Sequence, residues 1–156
     1  MSIHGLNKLT LLDYPGKVAA TLFLGSCNFC CPFCHNSDLV LDPASQPVLD
    51  MEEVLKFLKK RQGILEGVCI TGGEPTLYAG LEELIRAIRQ LGYMVKLDTN
   101  GYRPSVLKDL VNKGLVDMVA MDIKSDRVGY GASAGLANMD ISLIEESVQF
   151  LLKGHV

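Results

Sequence analysis

The sequence lacks three features that would each point to a different class of protein. No apolar run approaches the roughly 20 residues that a transmembrane helix needs, so a membrane protein is not expected. The net charge is -3 and no basic block is present, whereas nucleic-acid binding depends on clustered lysine and arginine. Low-complexity segments are also absent. With 48% hydrophobic and 21% charged residues, the composition predicts a single globular domain over residues 1–156.

The N-terminus lacks the uninterrupted apolar stretch of a secretory signal peptide, because Asp13 and Pro15 interrupt it. We therefore expect a cytoplasmic protein, whose thiols stay reduced. The chain has five cysteines, and four of them fall within eight residues. In a reducing compartment, such clustering suggests metal or redox chemistry rather than disulfide bonds.

Apolar segments alternate with amphipathic helical segments from residue 18 onward. Strands are predicted over 18–24, 67–71, 93–98 and 116–123, and helices over 51–61, 81–91, 105–112 and 141–153. Asp50 and Asp140 are suitable N-caps for the first and last of these helices. Four strand–helix units in series predict an α/β fold with parallel strands and right-handed crossovers.

The carboxyl ends of the four predicted strands are polar, charged or glycine-rich. They are the segments GSCNFCCPFC, TGGEP, LDTNG and MDIK. Ligand sites in such sheets collect at the carboxyl ends of the strands, so these segments are expected to share one rim.

The first of these segments holds Cys27, Cys30, Cys31 and Cys34. Cysteine thiolates are the usual ligands of iron–sulfur clusters, and two triplet spacings are available, through Cys30 or through Cys31. Neighbouring side chains point apart, so Cys30 and Cys31 are not expected to ligate one cluster. Three ligands would leave one iron open to a bound molecule. The alternatives are a zinc knuckle, a disulfide or a plain loop; zinc normally takes two separated pairs. Cys69 stands alone in a predicted strand.

The spacing Cys27-x3-Cys31-x2-Cys34, with Phe33 directly before the last cysteine, resembles the cluster motif of the radical S-adenosylmethionine (SAM) superfamily. Within it, the stretch LLDYPGKVAATLFLGSCNFCCPFCHN resembles the activating enzymes of anaerobic ribonucleoside-triphosphate reductase and of pyruvate formate-lyase. The resemblance covers about residues 6–124. It implies a [4Fe-4S] cluster on Cys27, Cys31 and Cys34, with Phe33 at the cofactor. Cys30 is a departure, because the family commonly has a basic or polar residue there.

The second rim segment is Gly72-Gly73-Glu74-Pro75. Two glycines let a bound molecule approach the backbone closely, and Glu74 offers an acceptor for an ammonium group. The alternative is a simple strand-to-helix turn. The resemblance implies that Gly72, Gly73 and Glu74 hold the amino group of SAM.

The third and fourth rim segments contribute Asp98, Asp122 and Lys124. A buried carboxylate needs a partner, which makes Asp98 a candidate, whereas Asn100-Gly101 is a turn signal by itself. Asp122 and Lys124 share a face of the strand, where they either bind a ligand or pair with one another. The resemblance implies that Lys124 meets the carboxylate of SAM, and that the aspartates lie by the ribose or hold a monovalent cation.

The resemblance also implies that the fold is a partial (β/α) barrel and that the protein catalyses a particular reaction. Such relatives have about six strand–helix units, so the four predicted here lead us to expect a chain shortened at its C-terminus. The implied reaction is reductive cleavage of SAM to a 5′-deoxyadenosyl radical, which generates a glycyl radical on anaerobic ribonucleotide reductase. A flavodoxin- or ferredoxin-type donor would supply the electron. The alternatives are a superfamily enzyme acting on a small molecule or peptide, and a non-catalytic cluster- or zinc-binding module.

Overall fold

The computed structural model describes residues 2–154; Met1, His155 and Val156, at the ends of the predicted domain 1–156, lie outside the described residues. Its centre is a sheet of five strands in the order β1-β2-β3-β4-β5. The strands are β1 (Ile3–Thr10), β2 (Ala19–Leu24), β3 (Gly67–Gly72), β4 (Met94–Thr99) and β5 (Met118–Met121).

In the described part of the chain, six α-helices lie between or after these strands. They are α1 (Ser37–Leu41), α2 (Met51–Lys60), α3 (Leu81–Gln90), α4 (Pro104–Asn112), α5 (Tyr130–Ala134) and α6 (Ile141–Leu151). Short 3-10 turns occupy Pro43–Ser45 and Pro75–Leu77. Asp50 and Asp140 cap α2 and α6 as predicted, each accepting from the backbone N–H two residues further on. Within residues 2–154, none of the helices has the length and apolar character needed to cross a bilayer.

Strands β2 to β5 run parallel, and each is followed by helix, which confirms the predicted α/β fold of four strand–helix units. All the predicted bounds of these strands and their helices agree with the structure within two residues. The largest difference is β5, which covers only Met118–Met121 of the predicted 116–123, at one edge of the sheet.

The strand β1 was not predicted, and it makes the sheet mixed rather than wholly parallel. It pairs antiparallel with β2, and its register shifts twice along its length. Only its two end residues, Ile3 and Thr10, are buried. An edge strand with so little burial has no apolar run or regular alternation, so the sequence carries no clear signal for it.

The two faces of the sheet have opposite character, because successive side chains of a strand point to opposite sides. On one side Leu22, Ile70 and Leu97 are fully buried in a core with the apolar residues of α2, α3 and α4. We call this the helix-covered face. The register places Thr21, Cys69 and Lys96 side by side on the other side, the inner face.

A second, smaller apolar cluster lies beside the cysteine loop. Phe29 of that loop packs with Tyr130 and Ala134 of α5 and with Ile144 of α6. The C-terminal helices therefore support the loop that carries the cysteines.

Candidate functional site

A cavity of about 460 Å³ lies at the carboxyl ends of the parallel strands. The predicted rim segments all contribute to it, which confirms that they share one edge of the sheet. Its lining includes Cys27, Cys31, Phe33, Cys34, Gly72, Gly73, Asp98, Asp122 and Lys124. Glu74 is the one predicted site residue that does not line it.

The cysteine loop presents three of its four thiols to this cavity. Cys30 is exposed and is absent from the lining, while Cys27, Cys31 and Cys34 are half-buried and line it. The backbone N–H of Cys30 donates to the carbonyl of Ala134 at 2.8 Å. Gly135 has φ +67°, and a Cβ there would lie 2.3 Å from the carbonyl oxygen of Cys30. Close packing on the end of α5 thus fixes the backbone at Cys30.

Cys27 is held from two sides. Its Sγ accepts hydrogen bonds from the backbone N–H of Phe29 at 3.3 Å and from the Asn100 amide at 3.8 Å. Burial raises the pKa of the Cys27 thiol to about 11, and burial also raises the pKa of Cys31. Without a metal these thiols are neutral, so binding iron has to displace their protons.

The chemistry of the cavity lining fits an iron–sulfur cluster. Cysteine thiolates are the usual ligands of such clusters, and three thiols line one cavity with further space beside them. Among residues 2–154, no group of three or more His, Cys, Asp or Glu side chains is placed to hold a single metal ion.

Gly72 and Gly73 bring the second rim segment against the cysteine loop. A Cβ on Gly72 would lie 2.2 Å from the Leu24 carbonyl oxygen, and one on Gly73 would lie 1.9 Å from that of Ser26. Gly72 also has φ +119°, which favours glycine. The glycines are therefore required by backbone packing as well as by access to the cavity. Asn36 donates to the Gly72 carbonyl at 2.9 Å.

Glu74 is fully buried beneath the rim. Its Oε1 accepts from the Thr76 N–H at 3.0 Å and from the Thr99 hydroxyl at 2.8 Å, and its Oε2 accepts from the Asn100 N–H at 2.7 Å. These bonds tie the turn after β3 to the turn after β4. Both carboxylate oxygens of Glu74 thus already accept hydrogen bonds within the protein. The contact of this carboxylate with the ammonium group of a ligand stays a prediction.

The acidic residues on the cavity wall each have a lysine partner. Asp122 and Lys124 are joined by an ion pair of 2.8 Å, the alternative that the sequence left open. Burial lowers the pKa of Lys124, but the hydrogen bond and charge of Asp122 outweigh it and leave the pKa raised. Asp98 pairs with Lys96, a residue of the inner face.

Some residues that contribute to the site were not predicted from the sequence, among them Asn100, Asn36 and Lys96. Asn100 was interpreted as a turn residue, yet its amide contacts Cys27 and donates to the Asn28 side chain at 2.8 Å. Asn36 and Lys96 were not considered. Only Lys96 has a sequence signal, since it lies two residues before Asp98 and so shares its face of the strand.

Comparison with known proteins identifies the family. Residues 21–128 match the model of the Radical SAM superfamily, and the chain belongs to that superfamily. Its members use a [4Fe-4S] cluster and SAM, and the three thiols beside open space fit such a pair.

Two curated relatives and one solved structure are among the proteins that this chain is similar to. A protein of Methanocaldococcus jannaschii named as a glycyl-radical enzyme activating enzyme is 36% identical over 126 residues, covering 78% of this chain and 50% of the relative. A GTP 3′,8-cyclase of Saccharolobus solfataricus is 40% identical over 90 residues, covering 56% of this chain and 27% of the relative. The structure of TYW1 with a lysine-pyruvate adduct bound has a TM-score of 0.60 at 18% identity, covering 86% of this chain and 52% of that one.

The chain thus spans about half, or less, of the length of the curated relatives it matches. The similarity to the TYW1 structure concerns the fold alone.

Proposed function

We propose that this chain cleaves SAM reductively and generates a glycyl radical on a partner enzyme, anaerobic ribonucleoside-triphosphate reductase. The observation that carries the proposal is the shared cavity, in which Cys27, Cys31 and Cys34 face the polar ends of the neighbouring strands. The name of the relative from M. jannaschii supports an activating enzyme of this kind.

The three thiols would hold the cluster, which when bound supplies the electron that breaks a carbon–sulfur bond of SAM. The Lys124 ammonium lies on the cavity wall, where it can meet the carboxylate of SAM. Gly72, Gly73, Asp98 and Asp122 also line the cavity, where the carbonyls of the glycine turn and the two carboxylates are acceptors for the amino and ribose groups of SAM. Phe33 is 54% exposed on the same wall and offers an apolar surface to the adenine.

The proposed reaction also needs an electron donor and a compartment in which thiols stay reduced. A flavodoxin- or ferredoxin-type protein would deliver the electron. The thiols must stay reduced to bind iron, which makes the cytoplasm the expected compartment.

One experiment tests the proposal in two stages. The chain is reconstituted with iron and sulfide without oxygen, reduced with dithionite and supplied with SAM. We expect 5′-deoxyadenosine as a product. Adding the reductase should then produce a glycyl radical detectable by electron paramagnetic resonance. The Cys31→Ala variant is the control and should give neither signal.

The alternatives make different predictions in the same assay. An enzyme acting on a small molecule, which the similarity to the GTP cyclase favours, would yield 5′-deoxyadenosine but no radical on the reductase. A non-catalytic module would bind iron or zinc and yield no 5′-deoxyadenosine. Failure of the reconstituted wild type to make 5′-deoxyadenosine would contradict both enzymatic readings.

A further inference from the structure

Lys96 is a buried lysine that does not line the cavity. It projects from the middle of β4 on the inner face, and only 6% of its surface is exposed. Its ammonium forms an ion pair with the Oδ1 atom of Asp98 and lies 3.7 Å from the Sγ of Cys69. The Cys69 thiol in turn donates to the Oδ2 atom of Asp98 at 3.4 Å.

Each carboxylate oxygen of Asp98 therefore has a hydrogen-bond partner within the protein, Lys96 or Cys69. The same carboxylate belongs to a residue that lines the cavity. The Cys69 thiol is suited to being a neutral donor, because burial and the charge of Asp98 raise its pKa to about 12. Burial lowers the pKa of Lys96, but the hydrogen bond and charge of Asp98 more than reverse this. Lys96 thus carries its positive charge in a buried position.

The fold itself does not explain this charge. Buried ion pairs contribute little net stability, since desolvation opposes the attraction, and an apolar pair of similar size would serve a core as well. Removing only the lysine is different, because it leaves the carboxylate without its counter-ion. The role of the Lys96 charge therefore concerns the Asp98 carboxylate, which Lys96 neutralises, and the cavity that Asp98 lines.

We propose that Lys96 is a positioning residue, a built-in counter-ion that keeps the Asp98 carboxylate fixed at the edge of the cavity without a dissolved cation. This rests on the proposed function, in which that cavity binds SAM. The ammonium supplies the charge that a sodium or potassium ion would otherwise have to provide. SAM binding by the wild type is accordingly independent of which monovalent salt is present.

The test replaces the lysine and varies the cation. SAM binding to the reconstituted whole chain is measured by equilibrium dialysis in sodium, potassium or choline chloride, each at about 0.1 M so that screening is constant. Choline is too bulky to occupy the place of an ammonium group. The variants are Lys96→Met, the double variant Lys96→Met/Asp98→Asn, and Lys59→Met, which removes an exposed lysine of α2.

We expect the wild type and Lys59→Met to bind SAM equally, within about twofold, in all three salts. Lys96→Met should bind about tenfold more weakly in choline chloride and recover most of that loss in sodium or potassium chloride. The double variant should not respond to the cation. Lys96→Met binding as tightly as wild type in choline, or equally weakly in all three salts, would overturn the proposal.

Thermal unfolding of the iron-free chain gives a second readout that needs neither cluster nor SAM. Lys96→Met should lower the Tm by about 5 °C, and the double variant should regain most of the difference. A double variant that melts as low as Lys96→Met would show that the lysine stem only fills space, which overturns the proposal. A wild type that binds no SAM contradicts the proposed function, whereas the melting comparison still decides the role of Lys96.

Discussion

On the helix-covered face, Leu22, Ile70 and Leu97 are fully buried against helices, whereas their neighbours on the inner face include Cys69 and Lys96. The same three strands thus build an apolar core on one side and a polar support for the cavity on the other. The difference separates residues that hold the fold from residues that prepare the site. Substitutions on the two sides should therefore affect different measurements.

The largest expected effect is on the cysteine loop. Cys31→Ala should abolish binding of the [4Fe-4S] cluster, because one of the three cavity-lining thiols is lost. Its effect on unfolding of the iron-free chain should be small, since Cys31 is only half-buried. Iron and sulfide analysis after reconstitution measures the first effect. Cys30→Ala is the matched control, and cluster loss in that variant with retention in Cys31→Ala would reverse the assignment.

The helix-covered face should show the opposite pattern. Leu84 of α3 is fully buried, and Leu84→Ala should lower the free energy of unfolding by about 3 kcal/mol through the cavity it leaves. Iron content per folded chain should be unchanged. Urea unfolding followed by circular dichroism measures the loss. If this variant folds but takes up no iron, the two faces are not independent.

A smaller effect is expected at Lys124. Its ammonium is paired with a carboxylate that is 74% exposed and therefore contributes little to stability. Lys124→Ala should raise the dissociation constant for SAM about tenfold, because a charge-assisted contact is lost. Equilibrium dialysis checks this against Lys113→Ala, a lysine with exposed partners outside the cavity lining. Equal affinity in the two variants would contradict the role of Lys124.

The smallest effect is expected at the far end of the inner face. Tyr14 is buried against Gly67, and among residues 2–154 its hydroxyl has no hydrogen-bond partner. Tyr14→Phe should therefore change the free energy of unfolding by less than about 0.5 kcal/mol, or increase it slightly. Tyr14→Ala, which removes the ring, is the comparison and should destabilise clearly. A large loss in Tyr14→Phe would reveal a bound water or ion at that hydroxyl.

The helix-covered face could be predicted from the sequence, because the spacing of apolar residues in helices and strands indicates which side chains are buried. The rim could also be predicted, since parallel strands bring their carboxyl ends to one edge. The inner face could not, because the strands were interpreted as apolar runs although Lys96 and Asp98 alternate with Val95 and Leu97 in β4. Periodicity shows which side a residue faces, but not what it meets there.

The sequence also did not show how deeply each polar side chain at the rim is buried. Glu74 was predicted to meet an ammonium group, because the family resemblance implied that role for the segment Gly72-Gly73-Glu74-Pro75. The structure places its carboxylate beneath the rim, bonded to two turns. Nothing in a single sequence distinguishes a carboxylate that faces a cavity from one that fastens the loops around it.

The packing of Cys30 on Gly135 has a consequence for the order of events during protein synthesis. The cysteine loop leaves the ribosome roughly a hundred residues, or about 5 to 20 seconds, before the glycine it rests on. During that interval the thiols have no α5 to shape them. We therefore expect iron–sulfur delivery to succeed only after translation has passed α5, and nascent chains stalled before that point to remain without a cluster.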